Sequence, residues 1–128
     1  MNLIQVTPFM QVPNLAKAVA FFEDILGFET TFRVPGYAFV GRGPVGFRLM
    51  EEKGVAPGTR RFAYYVDVID VDKLYAELKP RLETLPAGDV HGPADKPYGQ
   101  RELIVLAPDG NLLAFGQTIA ENPAGVRT

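Results

Sequence analysis

The stretch Pro97–Gln117 reads P-Y-G-Q-R-E-L-I-V-L-A-P-D-G-N-L-L-A-F-G-Q and predicts a β-hairpin. It contains two apolar runs rich in strand-forming residues, Leu103–Leu106 and Leu112–Phe115. The segment between them, Pro108–Asn111, is typical of a tight turn, because proline presets φ while glycine and asparagine tolerate positive φ. A hairpin of this kind does not by itself indicate a function.

The first half of the chain predicts a strand, a helix and three more strands. The first strand is predicted over Ile4–Val12, and Asn14 has the side chain of a helix N-cap. Apolar residues then recur at helical spacing until Gly27, which favours a helix stop. Three strands are predicted over Phe28–Val34, Tyr37–Val40 and Val45–Met50, and a linker with glycine and proline follows over 51–59.

The second half repeats this order. A strand is predicted over Arg61–Val68, followed by a helix capped by Asp70 or Asp72, which Pro80 is expected to bend or end. The pattern predicts the α+β class, with one domain over 1–128 that contains two βαβββ units. The units span about 1–52 and 60–118, and a polar tail follows over 119–128.

The composition narrows the classes of function. The chain has 128 residues, 47% hydrophobic and 22% charged, with a net charge of −2, and this globular balance argues against nucleic acid as a partner. Since the chain contains neither cysteine nor serine, thiol and serine nucleophiles and thiolate metal sites are excluded. No apolar run approaches the ~20 residues of a membrane span. A cytoplasmic protein without a signal peptide or a membrane partner is therefore expected.

The order and spacing of several motifs resemble the vicinal oxygen chelate superfamily, in its glyoxalase/bleomycin-resistance group. The motifs are P-Y-G-Q-R-E and D-G-N-L-L-A-F in the hairpin, F-F-E-D-I-L-G-F over Phe21–Phe28, and Y-A-F-V over Tyr37–Val40. The resemblance extends from about Ile4 to Gln117. It implies curved mixed sheets with covering helices, and a homodimer with a cleft, in which strands are often shared or exchanged between chains.

The metalloenzymes of the superfamily that this chain resembles hold a divalent ion with His, Gln or Glu side chains. The resemblance places the four ligand positions on Thr7, Leu49, Ala63 and Ala114. These residues do not supply the nitrogen and oxygen donors that such ions need. The lone histidine, His91, lies in a segment rich in proline and glycine, where a surface position is expected. We therefore expect no metal cofactor and no catalytic set, which favours a binding protein over an enzyme.

Strand alternation predicts a face lined by aromatic and small side chains, and such a face suits a planar aromatic ligand. Drug-binding members of the family hold bleomycin-type glycopeptides in a dimer cleft without chemistry. The resemblance therefore implies a protein that sequesters an aromatic or glycopeptide-type ligand. Bleomycin is cationic, however, and a net charge of −2 is a weak match to the markedly acidic binders of that drug. The candidate ligand-binding residues are Phe39, Phe47, Tyr65, Tyr98, Arg101 and Glu102.

Other interpretations of the same residues stay open at this point. Each aromatic side chain is also suited to core packing, and Arg101 and Glu102 are equally compatible with an ion pair in the hairpin. A metal-dependent lyase or dioxygenase of the glyoxalase type would need Glu51, Glu102 or His91 as ligands. A third possibility is a non-catalytic module that retains only the fold.

Overall fold

The computed structural model describes residues 2–54 and 62–119, in which it contains eight strands and two helices. The strands are β1 (Phe9–Val12), β2 (Glu29–Val34), β3 (Tyr37–Arg42), β4 (Val45–Glu51), β5 (Ala63–Asp67), β6 (Val90–Asp95), β7 (Gln100–Leu106) and β8 (Leu112–Thr118). The helices are α1 (Leu15–Ala20), which continues as a π-helical turn over Phe21–Ile25, and α2 (Val71–Leu82). Most of the predicted linker, 55–59, and of the predicted tail, 120–128, lies outside the described residues.

The chain divides into two compact units, Met1–Arg60 and Arg61–Thr128, here called unit 1 and unit 2. Unit 1 contains a four-stranded sheet in the order β1-β4-β3-β2, and unit 2 contains one in the order β5-β8-β7-β6. In each sheet the first pair of that order is parallel and the others are antiparallel. The predicted repeat and the predicted α+β class, with mixed sheets, are therefore confirmed.

Both helices begin at the predicted caps. The side chain of Asn14 accepts a hydrogen bond from the Lys17 N–H at 3.0 Å, and that of Asp70 accepts one from the Lys73 N–H at 3.0 Å. Each bond satisfies one of the N–H groups that a helix start leaves without an intrahelical partner. Of the two candidate caps for α2, the structure uses Asp70.

A second bond ties each helix start to the end of a distant strand. Glu51 Oε2 accepts from the Leu15 N–H at 2.8 Å in unit 1, and Gln117 Oε1 accepts from the Val71 N–H at 2.9 Å in unit 2. The donors are the first residues of α1 and α2, and the acceptors lie in the fourth strand of each unit. The internal repeat therefore extends to a side-chain contact, for which no local sequence pattern gives a signal.

The core of each unit lies between its sheet and its helix. In unit 1 Phe22, Phe28 and Phe47 form an aromatic cluster with ring centroids 5.2–6.1 Å apart. In unit 2 the fully buried apolar side chains include Leu78, Leu103 and Leu113. Burying one such side chain contributes about 1.5–3 kcal/mol to the stability of its unit.

The first strand is shorter than predicted, and the second helix runs past its proline. The first strand begins at Phe9 instead of Ile4, because Pro8, which has no N–H to donate, directly precedes it. Pro80 does not end its helix, since α2 continues to Leu82 and the Glu83 N–H still donates to the Lys79 carbonyl at 3.0 Å. Among the described residues, no helix is both long enough and apolar enough to cross a membrane.

Candidate functional site

Each sheet has one face that packs against a helix and one that does not. Strand alternation separates the two sets of side chains, as predicted: Met10 and Val12 are buried, whereas their neighbour Phe9 is exposed. The open face of unit 1 is formed by Phe9, Gln11, Tyr37, Phe39, Arg48 and Met50. The open face of unit 2 is formed by Tyr65, Asp67, Gln100, Glu102, Ile104 and Ala114.

Two tyrosines surround a buried carboxylate on the open face of unit 2. The Tyr98 hydroxyl, in the turn before β7, donates to Glu102 Oε1 at 2.7 Å. The Tyr65 hydroxyl donates to Gln100 Oε1 at 3.0 Å, and Gln100 Nε2 donates to Thr118 Oγ1 at 3.0 Å. Tyr98 is 57% exposed and Tyr65 47%, while Glu102 is only 3% exposed. Three predicted site residues, Tyr65, Tyr98 and Glu102, therefore lie together.

The pKa values of both tyrosine hydroxyls are raised by their surroundings. Its hydrogen bond with Tyr98 raises the pKa of that hydroxyl above its ordinary value. Burial, and then the same carboxylate, raise the pKa of Tyr65. Both hydroxyls therefore remain protonated donors at neutral pH. The result is a pair of exposed aromatic rings whose hydroxyl ends meet a buried carboxylate, and such rings favour stacking with electron-poor or cationic aromatic groups.

A glycine on the neighbouring strand determines how the Tyr65 ring lies. Gly116 is buried in β8, beside β5, and an added Cβ there would collide with the Tyr65 hydroxyl oxygen. The same device occurs in unit 1, where a Cβ on Gly46 would come within 2.6 Å of the Phe39 ring. In each unit, the missing side chain allows an aromatic ring to lie close against the sheet.

Two of the predicted ligand-binding residues lie elsewhere. Phe47 is 2% exposed and belongs to the aromatic cluster beneath α1, so it is a core residue. Arg101 projects from the face of β7 opposite to Glu102. It pairs with Asp72 of α2 at 3.0 Å and with Asp95 of β6 at 2.9 Å, so the suggested pair between Arg101 and Glu102 does not form.

Phe39, the remaining candidate, lies on the open face of unit 1 beside an arginine that the sequence analysis missed. The Arg48 guanidinium lies over the Phe39 ring, 5.1 Å from its centroid. Arg48 Nε donates to Thr7 Oγ1 at 2.9 Å, and Nη1 donates to the Tyr37 hydroxyl at 2.7 Å. The signal was available, since Arg48 stands between the buried residues Phe47 and Leu49 and alternation must turn it to the open face.

The positions at which the family enzymes bind a metal do not fit one here. Leu49 is fully buried on the face under the helix, and Ala63 and Ala114 carry only methyl groups. Thr7 instead accepts a bond from Arg48. Of the carboxylates considered as alternatives, Glu51 holds the start of α1. The described residues contain no group of three or more His, Asp or Glu side chains able to hold a metal ion.

The chain is similar to known proteins along most of its length. The family model described as Glyoxalase/Bleomycin resistance protein/Dioxygenase superfamily matches residues 3–115. The bleomycin resistance protein of Geobacillus stearothermophilus is 26% identical over 133 residues, which cover 91% of this chain and 98% of that protein. That of Klebsiella pneumoniae is 26% identical over 116 residues, covering 88% and 91%. The crystal structure of a bleomycin-binding protein complexed with bleomycin matches with a TM-score of 0.79 at 25% identity, over 91% of this chain and 99% of that one.

Proposed function

The chain belongs to the glyoxalase/bleomycin resistance protein/dioxygenase superfamily, and on this basis we propose that it is a small-molecule-binding protein of the bleomycin-resistance type. It sequesters an aromatic or glycopeptide-type ligand without transforming it. The observation that carries the proposal is the match over 91% of the chain to a protein crystallised with bleomycin. The exposed tyrosines on the open face of unit 2 supply the stacking surface that such a ligand needs.

The residues of the open faces support binding over metal chemistry. Alanine at positions 63 and 114 leaves space and offers no donor atom, so a divalent ion would lack ligands there. Glu102 accepts a hydrogen bond from the Tyr98 hydroxyl, and its negative charge at this point would attract a cationic drug. We accordingly propose that ligand binding needs no metal cofactor.

We also propose that the protein acts as a homodimer in the cytoplasm. Three large apolar side chains near the start of the chain, Leu3, Ile4 and Val6, are almost fully exposed, and Ile4 is 93% exposed. Contiguous exposed apolar side chains mark interaction surfaces in proteins. A second copy of the chain would cover them, in keeping with the dimers that the family resemblance implies.

Calorimetric titration with bleomycin tests the proposal, after the divalent-metal content of the purified protein has been measured. We expect saturable binding by protein that contains no stoichiometric metal. Tyr98→Ala should weaken binding about tenfold, or ~1.4 kcal/mol, because a stacking ring is lost. Tyr75→Ala, a matched change on α2, should leave binding unchanged.

Two results would contradict the proposal. The absence of heat with intact, folded protein would exclude bleomycin itself as the ligand. The second result is stoichiometric metal in the purified protein together with loss of binding or turnover when a chelator is added. It would support a metal-dependent lyase or dioxygenase instead.

A further inference from the structure

The Arg48 side chain of unit 1 is fixed in place by three neighbours on two other segments. Thr7 Oγ1 accepts from Nε at 2.9 Å, the Tyr37 hydroxyl oxygen accepts from Nη1 at 2.7 Å, and the Phe39 ring lies 5.1 Å from the guanidinium carbon. All four residues are partly exposed on the open face. A flexible surface arginine would not be held in this way, so the position of the charge is part of the fold.

The charge of Arg48 has no counter-ion in the part of the chain that the structure describes. Lys53 and Arg101 form ion pairs, whereas no carboxylate of the described residues lies within pairing distance of Arg48. Its neighbours are two hydroxyls and an aromatic ring, which orient a cation without neutralising it. A partly buried, uncompensated charge favours binding of an anion.

The hydroxyl groups around Arg48 increase this preference. Because Thr7 and Tyr37 accept from the guanidinium through their oxygens, each keeps its own proton available to donate elsewhere. The guanidinium also retains N–H groups beyond Nε and the one bond of Nη1, since arginine has five donors. The cluster therefore presents donors to a ligand and suits an oxyanion.

Aromatic rings flank the cation on both neighbouring strands. Arg48 is the register partner of Phe9 on β1 and of Phe39 on β3, so the three side chains form one row across the sheet. Phe9 is exposed, and Phe39 lies against Gly46. A flat ring that packs on Phe9 or Phe39 would bring an attached oxyanion to the guanidinium.

We infer that the Arg48 cluster, formed by Thr7, Tyr37, Phe39 and Arg48, binds the carboxylate of an aromatic ligand. The inference specifies the ligand class of the proposed function further. Its premise that the ligand is aromatic rests on that proposed function, whereas the carboxylate does not. It assigns to the ligand a negative group, a feature that a purely cationic drug lacks.

Paired probes test the charge requirement directly. Titration of the intact protein with 2-naphthoate and with its neutral amide, 2-naphthamide, compares ligands that differ in charge but share the ring. We expect the wild type to prefer the carboxylate by about tenfold, in keeping with hydrogen bonds between charged groups. In Arg48→Met the two probes should bind equally.

Arg33→Met is the matched control. Arg33 pairs with Ala38, whose side chain is buried under the helix, so Arg33 projects from the opposite face of the same sheet. The variant removes one positive charge from unit 1 without touching the cluster, and it should retain the preference for the carboxylate. A parallel loss in both variants would mean that only net charge matters and would overturn the inference.

The inference also fails if the wild type binds the two probes equally or binds neither, or if the preference persists in Arg48→Met. If Arg48→Met does not fold, Arg48→Lys provides the test, because it keeps the charge but loses the planar fork and should lower the preference part way. Titration of the same proteins with bleomycin separates the two proposals. Failure to bind the drug, with the naphthoate preference intact, would exclude a bleomycin-type glycopeptide as the ligand and leave the inference about Arg48 standing.

Discussion

Consecutive strand residues face opposite sides of a sheet, and along Phe47, Arg48 and Leu49 this decides which side chains can meet a ligand. Phe47 and Leu49 are buried under α1, while Arg48 is held on the open face by Thr7 and Tyr37. Arg48 is the charged residue of an otherwise apolar run, so its position indicates which face of the strand is open. The contact between the rings of Phe47 and Phe22 shows that Phe47 lies on the face under the helix.

A pH-dependent effect is expected at Asp109, in the turn between β7 and β8. Burial raises the pKa of this carboxyl, although two hydrogen bonds from Asn111 oppose the shift. The folded state therefore binds the proton more tightly than the unfolded chain does. The stability associated with this group is fully present below the unfolded pKa, about 3.9, and is lost as pH rises through the raised folded pKa.

Asp109→Asn removes this titration while keeping an oxygen acceptor in the turn. We expect the free energy of unfolding of the variant, relative to wild type, to increase from acidic to neutral pH. Urea unfolding of both proteins at several pH values measures the difference. A difference that stays constant, or one that decreases towards neutral pH, would contradict the assignment.

At the scale of the element, the most informative contacts join helix starts to strand ends. Glu51 and Gln117 occupy corresponding places in the two units and accept from the first N–H of α1 and α2. A helix N-terminus favours an acceptor, and still more a negative one. The bond in unit 1 joins two residues that are 36 positions apart in the sequence, and the bond in unit 2 joins two that are 46 positions apart.

Removing either acceptor should destabilise the protein to a similar extent. Glu51→Ala and Gln117→Ala are each expected to lower the free energy of unfolding by about 1 kcal/mol, the usual cost of losing a helix cap. Glu51→Gln should retain most of the stability, because the amide oxygen can still accept. Chemical denaturation measures these values, with Glu52→Ala, an exposed neighbour, as the control. An equal loss in Glu52→Ala would show that the cap is not responsible.

The elements themselves were largely predictable from local sequence. Asn14 and Asp70 cap their helices as expected, since a cap depends only on residues within one turn. The orientation of Arg101 was not predictable, because its partner Asp72 is 29 residues away on another element. Part of the candidate site, Tyr98 with Glu102, was found because its members lie four residues apart in one motif.

At the scale of the whole molecule, the two units share a sheet order but differ in the chemistry of their open faces. Unit 1 presents a cation, Arg48, and unit 2 presents a buried carboxylate, Glu102, beneath two tyrosines. The register places Ala114 of unit 2 where unit 1 has Arg48, since each is the partner of an aromatic residue on the parallel edge strand, Tyr65 and Phe9 respectively. The two units therefore repeat the same fold, but they do not repeat the chemistry of the open face.

The proposed homodimer makes a prediction about the first residues of the described chain. Ile4→Asp places a charge among exposed apolar side chains and should raise the dimer dissociation constant by at least about tenfold, because a charge buried in an apolar contact is costly. Sedimentation equilibrium over a range of concentrations measures the change, and Ile4→Leu should have little effect. A monomeric wild type would refute the proposed dimer.

The glycines beneath Phe39 and Tyr65 have a consequence for how this protein could change over generations. One added methyl group at Gly46 or Gly116 would displace an aromatic ring of the open face while leaving the helices and their caps untouched. Single mutational steps at these glycines, which lie against the rings, would therefore change ligand preference. Proteins with this fold would therefore change their ligand preference by mutation more readily than they would lose the ability to fold.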